Sequence, residues 1–122
     1  MRIGFFLPQI GPAAEASAIV RVARRAEELR YDSLWVTDRL LFPMHPQTPY
    51  YGHPLPEVYK RVFDPLTTLT FAAAQTSRIA LGTSVLDIPF YNPIVSIAPR
   101  LNVVRQIHNA WGPEESSHGT NR

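Results

Sequence analysis

The chain contains no cysteine, which excludes a disulfide framework and thiolate chemistry. Long hydrophobic runs are missing as well. Nothing approaches the roughly 20 apolar residues of a membrane span. The opening Met-Arg-Ile-Gly-Phe-Phe-Leu-Pro holds one positive charge and six apolar residues before Pro8, too few for the hydrophobic region of a signal peptide. The expected compartment is therefore the soluble cytoplasm. Phosphate-cradling glycines are scarce: Pro8-Gln9-Ile10-Gly11-Pro12 offers a single useful one, so there is no dinucleotide fingerprint, and no Walker-type loop occurs elsewhere. No serine sits in a nucleophile elbow. His45 and His53 lack neighbouring Cys, Asp or Glu at ligand spacing, and no metal site is expected.

Charge of one sign is also missing, since the net charge is only +2. Arg21, Arg24, Arg25 and Arg30 share one segment with Glu27 and Glu28, which reads as a solvated helix face. No aromatic residues alternate with these arginines to stack bases, so nucleic acid is not an expected partner. At 122 residues there is room for one domain.

What the sequence does have is an alternation of strand and helix patterns. Residues 2–8, 33–36 and 79–85 read as strands, and residues 14–29 and 64–74 as helices. Such alternation argues for βαβ units and a parallel sheet with a bare edge on at least one side. Both faces of the first strand are largely apolar, which predicts burial on both sides. Ile19, Val22, Ala23, Ala26 and Leu29 form the apolar stripe of the first helix. Asp64-Pro65 supplies an N-cap and a proline at the first position of the second helix. Between these, residues 39–63 carry five prolines together with His45, Tyr50, Tyr51 and His53. A loop of that length and aromatic content predicts an ordered loop folded over something. Asn92-Pro93 repeats the helix-start pattern, but Pro99 would interrupt that helix. After Trp111 the composition predicts disorder.

In parallel α/β folds, chemistry gathers on the loops after the strands. Those positions here are Pro8-Gln9, Thr37-Asp38-Arg39 and Ser84-Val85-Leu86-Asp87. Asp38 and Arg39 could hold a polar ligand, or could form an ion pair capping the next segment. Gly82, Thr83 and Ser84 would let a flat ring lie close to the backbone, or would serve tight packing at a barrel corner.

Three stretches in order and at matching spacing resemble the N-terminal third of the luciferase-like monooxygenase family, nearest its coenzyme F420 branch. They are Met-Arg-Ile-Gly-Phe-Phe-Leu-Pro, Ala-Glu-Glu-Leu-Arg-Tyr-Asp-Ser-Leu-Trp-Val-Thr-Asp-Arg, and the run from Asp64 to Val85. The resemblance covers residues 1–95. It implies an α/β fold: about three βα units of a (β/α)8 TIM barrel, with coenzyme F420, or alternatively FMN, at the mouth. It implies that Asp38, Thr83, Ser84 and Val85 bind the cofactor, and that Ser84–Val85 is a non-prolyl cis peptide. It also implies catalytic roles for Asp38 and Arg39, with residues 43–62 bordering the pocket of a small organic substrate. Arg39 stands where the family often has histidine. Arg30 stands where it commonly has glycine after the helix.

Beyond residue 95 the likeness fails, and residues 96–122 are expected to be an aberrant, disordered tail. Where the family usually continues Ala-Arg-Arg-Leu, codons shifted forward by one base can turn Ala98-Pro99-Arg100 into Arg-Arg-Gly, and must turn Trp111-Gly112 into a glycine. The expectation is a frameshifted, truncated oxidoreductase (hydride transfer with F420, or FMN-dependent monooxygenation), inactive as an isolated chain. The alternative is a non-catalytic remnant or a small protein that self-associates through exposed strand edges.

Overall fold

A computed structural model describes residues 1–92 together with 100, 102, 104 and 105. Its elements run β1 (Gly4–Phe6), α1 (Ala16–Glu28), β2 (Ser33–Val36), α2 (Pro65–Ala73) and β3 (Ala80–Thr83), with single 3-10 turns at Glu57–Lys60 and Ile88–Phe90. The strands form one parallel sheet in the order β1-β2-β3. The interrupted helix expected at 93–99 and most of the tail expected to be disordered lie outside the described residues.

The register explains where the core sits. Phe5, Leu34 and Leu81 are aligned across the sheet, as are Phe6, Trp35 and Gly82. Aligned residues of parallel strands share a face. Leu34 and Val36 are fully buried beneath Ile19, Ala23 and Ala26 of α1 and Leu69, Ala72 and Ala73 of α2. The opposite face carries Gly4, Phe6, Ser33, Trp35, Ala80 and Gly82, and among the described residues no helix lies over it.

The prediction that β1 is buried on both faces is thus corrected. Ile3, Phe5 and Phe6 are 46%, 47% and 54% exposed. Among the described residues the two helices cover one face and β1 is an edge strand, so its apolar residues remain exposed. The strand also shrinks to three residues from the seven expected.

Local chemistry sets the helix ends. Asp64 accepts the Thr67 N–H at 2.7 Å and Pro65 follows, so α2 starts as the sequence predicts. After α1 the Arg30 N–H donates to the Glu27 carbonyl and the Tyr31 N–H to that of Ala26. Those two bonds are a Schellman motif, and Arg30 occupies its left-handed position at φ 63°.

The arginine-rich face of α1 is not wholly a solvated one. One Glu27 carboxylate oxygen accepts the N–H groups of Ser77, Arg78 and Ile79 at 2.9, 2.6 and 3.0 Å. Arg24 donates to the Gln75 side chain at 2.7 Å. Both residues latch α1 to the turn that launches β3. Burial opposes the Glu27 charge, but the three N–H groups and Arg78 outweigh it and hold its pKa below the ordinary glutamate range.

Residues 37–63 fold back along the strand ends. Gly11 donates to the Arg61 carbonyl at 2.8 Å and Phe63 to that of Gln9 at 3.0 Å, with Ile10 and Val62 bridged antiparallel. The end of the long aromatic loop is therefore tied to the residues that follow β1. No helix among the described residues is long and apolar enough to cross a membrane.

Candidate functional site

Gln9, fully buried just beyond β1, organises the strand ends. Its amide nitrogen donates to the Phe63 carbonyl at 2.9 Å, and its amide oxygen accepts the Thr37 N–H at 2.7 Å. One side chain thus joins the end of β1, the end of β2 and the return of the long loop. Both polar ends are satisfied, as a buried amide requires.

Beyond this clasp, at the carboxyl ends of β2 and β3, lies a cleft of about 360 Å³. Thr37, Asp38, Arg39, Tyr50, Tyr59 and Asp87 supply its polar wall, and Leu40, Leu41, Val85 and Phe90 the apolar one. Its size and mixture suit a small organic ligand.

Asp38 is buried at 8% exposure, and one of its carboxylate oxygens accepts the Asp87 N–H at 3.0 Å. The Tyr91 hydroxyl donates to the same carboxylate. Burial first, then this bond and the nearby charges of Asp38 and Asp64, push the Tyr91 pKa up to about 12, against the opposing pull of Arg100. Tyr91 therefore keeps its hydroxyl proton at neutral pH.

Arg39 diverges from its neighbour. Its guanidinium carbon lies 4.6 Å from the Tyr59 ring centroid and 5.6 Å from that of Tyr50. No Asp38–Arg39 ion pair forms among the described residues, so the capping-pair alternative does not apply.

The expected cofactor residues of β3 are only partly brought to the cleft. Val85 lines it, whereas Thr83 and Ser84 do not. The expected cis peptide at Ser84–Val85 is corrected: among the described residues every peptide bond is trans. The Ser84 N–H donates to the Val36 carbonyl at 2.8 Å, which continues the β2–β3 ladder and keeps the chain extended.

A flat ring does lie against Gly82, and it is the indole of Trp35. A Cβ at Gly82 would stand 2.7 Å from Trp35 Cζ3, and one at Gly4 would stand 2.6 Å from Trp35 Nε1. The two glycines flank β2 and leave room for the ring across the open face, while Nε1 donates to Ser33 Oγ at 2.8 Å.

Sequence reasoning did not single out Tyr59, Phe90 or Tyr91 as site residues. The tyrosine-rich loop held a signal for Tyr59. Asn92-Pro93 drew attention to a helix start and away from the tyrosine just before it.

The profile of the luciferase-like monooxygenase family matches residues 1–98. The chain belongs to the luciferase-like monooxygenase family. No curated protein matches it. Membership gives the cleft a context in oxidoreductase and monooxygenase chemistry, in a family that commonly binds flavin or coenzyme F420. The cleft fits such a group in part. Its apolar wall and fixed carboxylate suit a ring system with polar edges. Its charge does not suit a phosphate-bearing tail, because Asp38 and Asp87 outnumber the single guanidinium of Arg39.

Proposed function

We propose that β1–β3 and their helices are three βα units of a (β/α)8 barrel, and that the chain is the corresponding part of a luciferase-like oxidoreductase acting on a small organic substrate. The ring of coenzyme F420, with FMN as the alternative, would sit in the cleft after β2 and β3, held by Asp38 and Val85 with Thr83 and Ser84 behind. The observation that carries this reading is the cleft itself: a buried, hydrogen-bonded carboxylate and a separate guanidinium in one lining, at the strand ends of a chain in this family. When bound, the cofactor supplies hydride transfer to or from an organic substrate.

The chain's own groups bind and orient. Asp38, held by the Asp87 N–H and the Tyr91 hydroxyl, presents its remaining lone pairs to a donor on the ring or substrate. Arg39 brings a planar cationic fork, which orients the substrate or stabilises negative charge. Leu40, Leu41 and Phe90 offer an apolar wall along which a ligand's apolar body could lie.

Titration of the full chain with F420 and with FMN, followed by cofactor fluorescence, tests the proposal. Saturable quenching by F420, lost in Asp38→Ala, is expected. An unchanged signal for both cofactors at high protein concentration overturns it. A second reading, a non-catalytic self-associating protein, is favoured by the bare sheet face and the exposed Phe5 and Phe6.

A further inference from the structure

Arg39 is the only cation among the residues lining the cleft. Tyr50 and Tyr59 pack against it and against each other, with ring centroids 5.9 Å apart, an interplanar angle of 67° and hydroxyls 3.4 Å apart. Among the described residues the ion pairs are Arg25–Glu28 and Lys60–Glu57, so Arg39 has no carboxylate partner. It does hydrogen-bond the Tyr50 hydroxyl. Aromatic rings satisfy a guanidinium through its charge while leaving its in-plane donors unused. A guanidinium carries five such donors in a fixed fork that matches a planar oxyanion, and Tyr50 accounts for part of that set.

We propose that Arg39, steadied by Tyr50 and Tyr59, is a carboxylate site, and that the substrate of this cleft is an organic monocarboxylic acid whose apolar body lies along Leu40, Leu41 and Phe90. The inference rests on reading the cleft as the substrate pocket and goes further by naming the substrate class. A single negative charge is specified because Asp38 and Asp87 stand in the same lining. A phosphate, with more charge, meets more repulsion from them. Asp87 therefore sets an upper limit on the charge of the ligand, and Arg39 sets its sign.

The test titrates the full chain with benzoate, with uncharged benzamide and with inorganic phosphate, following by NMR the backbone N–H resonances of Thr37, Asp38, Leu40 and Leu41, which every variant retains. Saturable benzoate binding is expected, with benzamide and phosphate weaker. Arg39→Gln should weaken benzoate about tenfold, the scale of a lost charge-assisted pair. Arg39→Lys, which keeps the charge and loses the fork, should fall between. Asp87→Asn should tighten benzoate by a few-fold. Circular dichroism of each variant checks that the loop change has not unfolded the chain, and the Asp87 variant tests the charge balance with Arg39 intact. Benzamide binding as tightly as benzoate, or benzoate binding unchanged in Arg39→Gln, overturns the site. Tighter binding of phosphate overturns the carboxylate assignment and makes a cofactor or substrate phosphate the oxyanion. Benzoate binding without F420 or FMN binding would overturn the cofactor reading alone, and the reverse pattern this inference alone.

Discussion

Arg30 and Tyr91 show how single side chains shape this molecule. Arg30 fills the left-handed position of the α1 Schellman motif, where a Cβ is unfavourable and glycine is at ease. Its side chain makes no hydrogen bond or ion pair among the described residues, so Arg30→Gly should stabilise the chain by about 0.5–1 kcal/mol. Urea denaturation measures this, and an unchanged or lower midpoint would show that the position is not strained. Tyr91 gives a signature in alkali. Its folded pKa is pushed up to about 12, above the ordinary tyrosine value of 10.0. The unfolded chain ionises first, so stability present below the ordinary value is lost as pH rises through the folded one. Wild-type stability should therefore fall between those two values, and the fall should be smaller in Tyr91→Phe. A thermal-melt series against pH decides it, and parallel curves would remove the Asp38–Tyr91 bond from the account.

At the scale of elements, the joint between α1 and β3 is the instructive one. Three consecutive backbone N–H groups converge on Glu27, so the start of β3 is positioned by a side chain fifty residues earlier in the chain. The depressed Glu27 pKa gives the sign of its pH dependence. The stabilisation is present above the ordinary glutamate range and lost as pH falls through the lowered folded value. Glu27→Gln should accordingly be less stable than wild type at neutral pH, with the gap closing in acid. A constant gap across the acid range would show that hydrogen bonding without charge accounts for the latch. By contrast, the Arg25–Glu28 pair is exposed on both sides and should contribute little.

At the scale of the whole molecule, the governing fact among the described residues is a sheet covered on one side. Between α1 and the free edge of β1 a further concavity of about 320 Å³ is lined by Phe5, Val22, Ala26, Leu29 and Tyr31, with Arg21 and Arg25 on its rim. Together with Phe6 and Trp35 on the open face, it leaves apolar surface that water disfavours. Apparent size in gel filtration should rise with concentration, and Phe6→Lys should suppress that rise. Phe6 is 54% exposed, so its replacement removes contact surface and little of the core. A concentration-independent monomer would count against self-association.

The amino-acid sequence by itself determined the order of strands and helices, the start of α2 at Asp64-Pro65, the strand Ser33–Val36 to the residue, and the location of the cleft after β2 and β3. Those features depend on periodicity, capping and the direction of parallel strands, all of which act over a few residues. Asp38, Arg39 and Val85 were legible as positions lining that cleft for the same reason, since each follows a strand. Tertiary structure alone decided the rest. It parted Asp38 from Arg39, because Asp87 and Tyr91 compete for the carboxylate while Tyr50 and Tyr59 compete for the guanidinium. It laid Trp35 over Gly4 and Gly82, where an open ring site could be read from the small residues of β3. It turned Glu27 from a solvated charge into a latch, and it left β1 exposed although both its faces are apolar. Each of these outcomes depends on which distant group arrives alongside, and no local pattern encodes that partner.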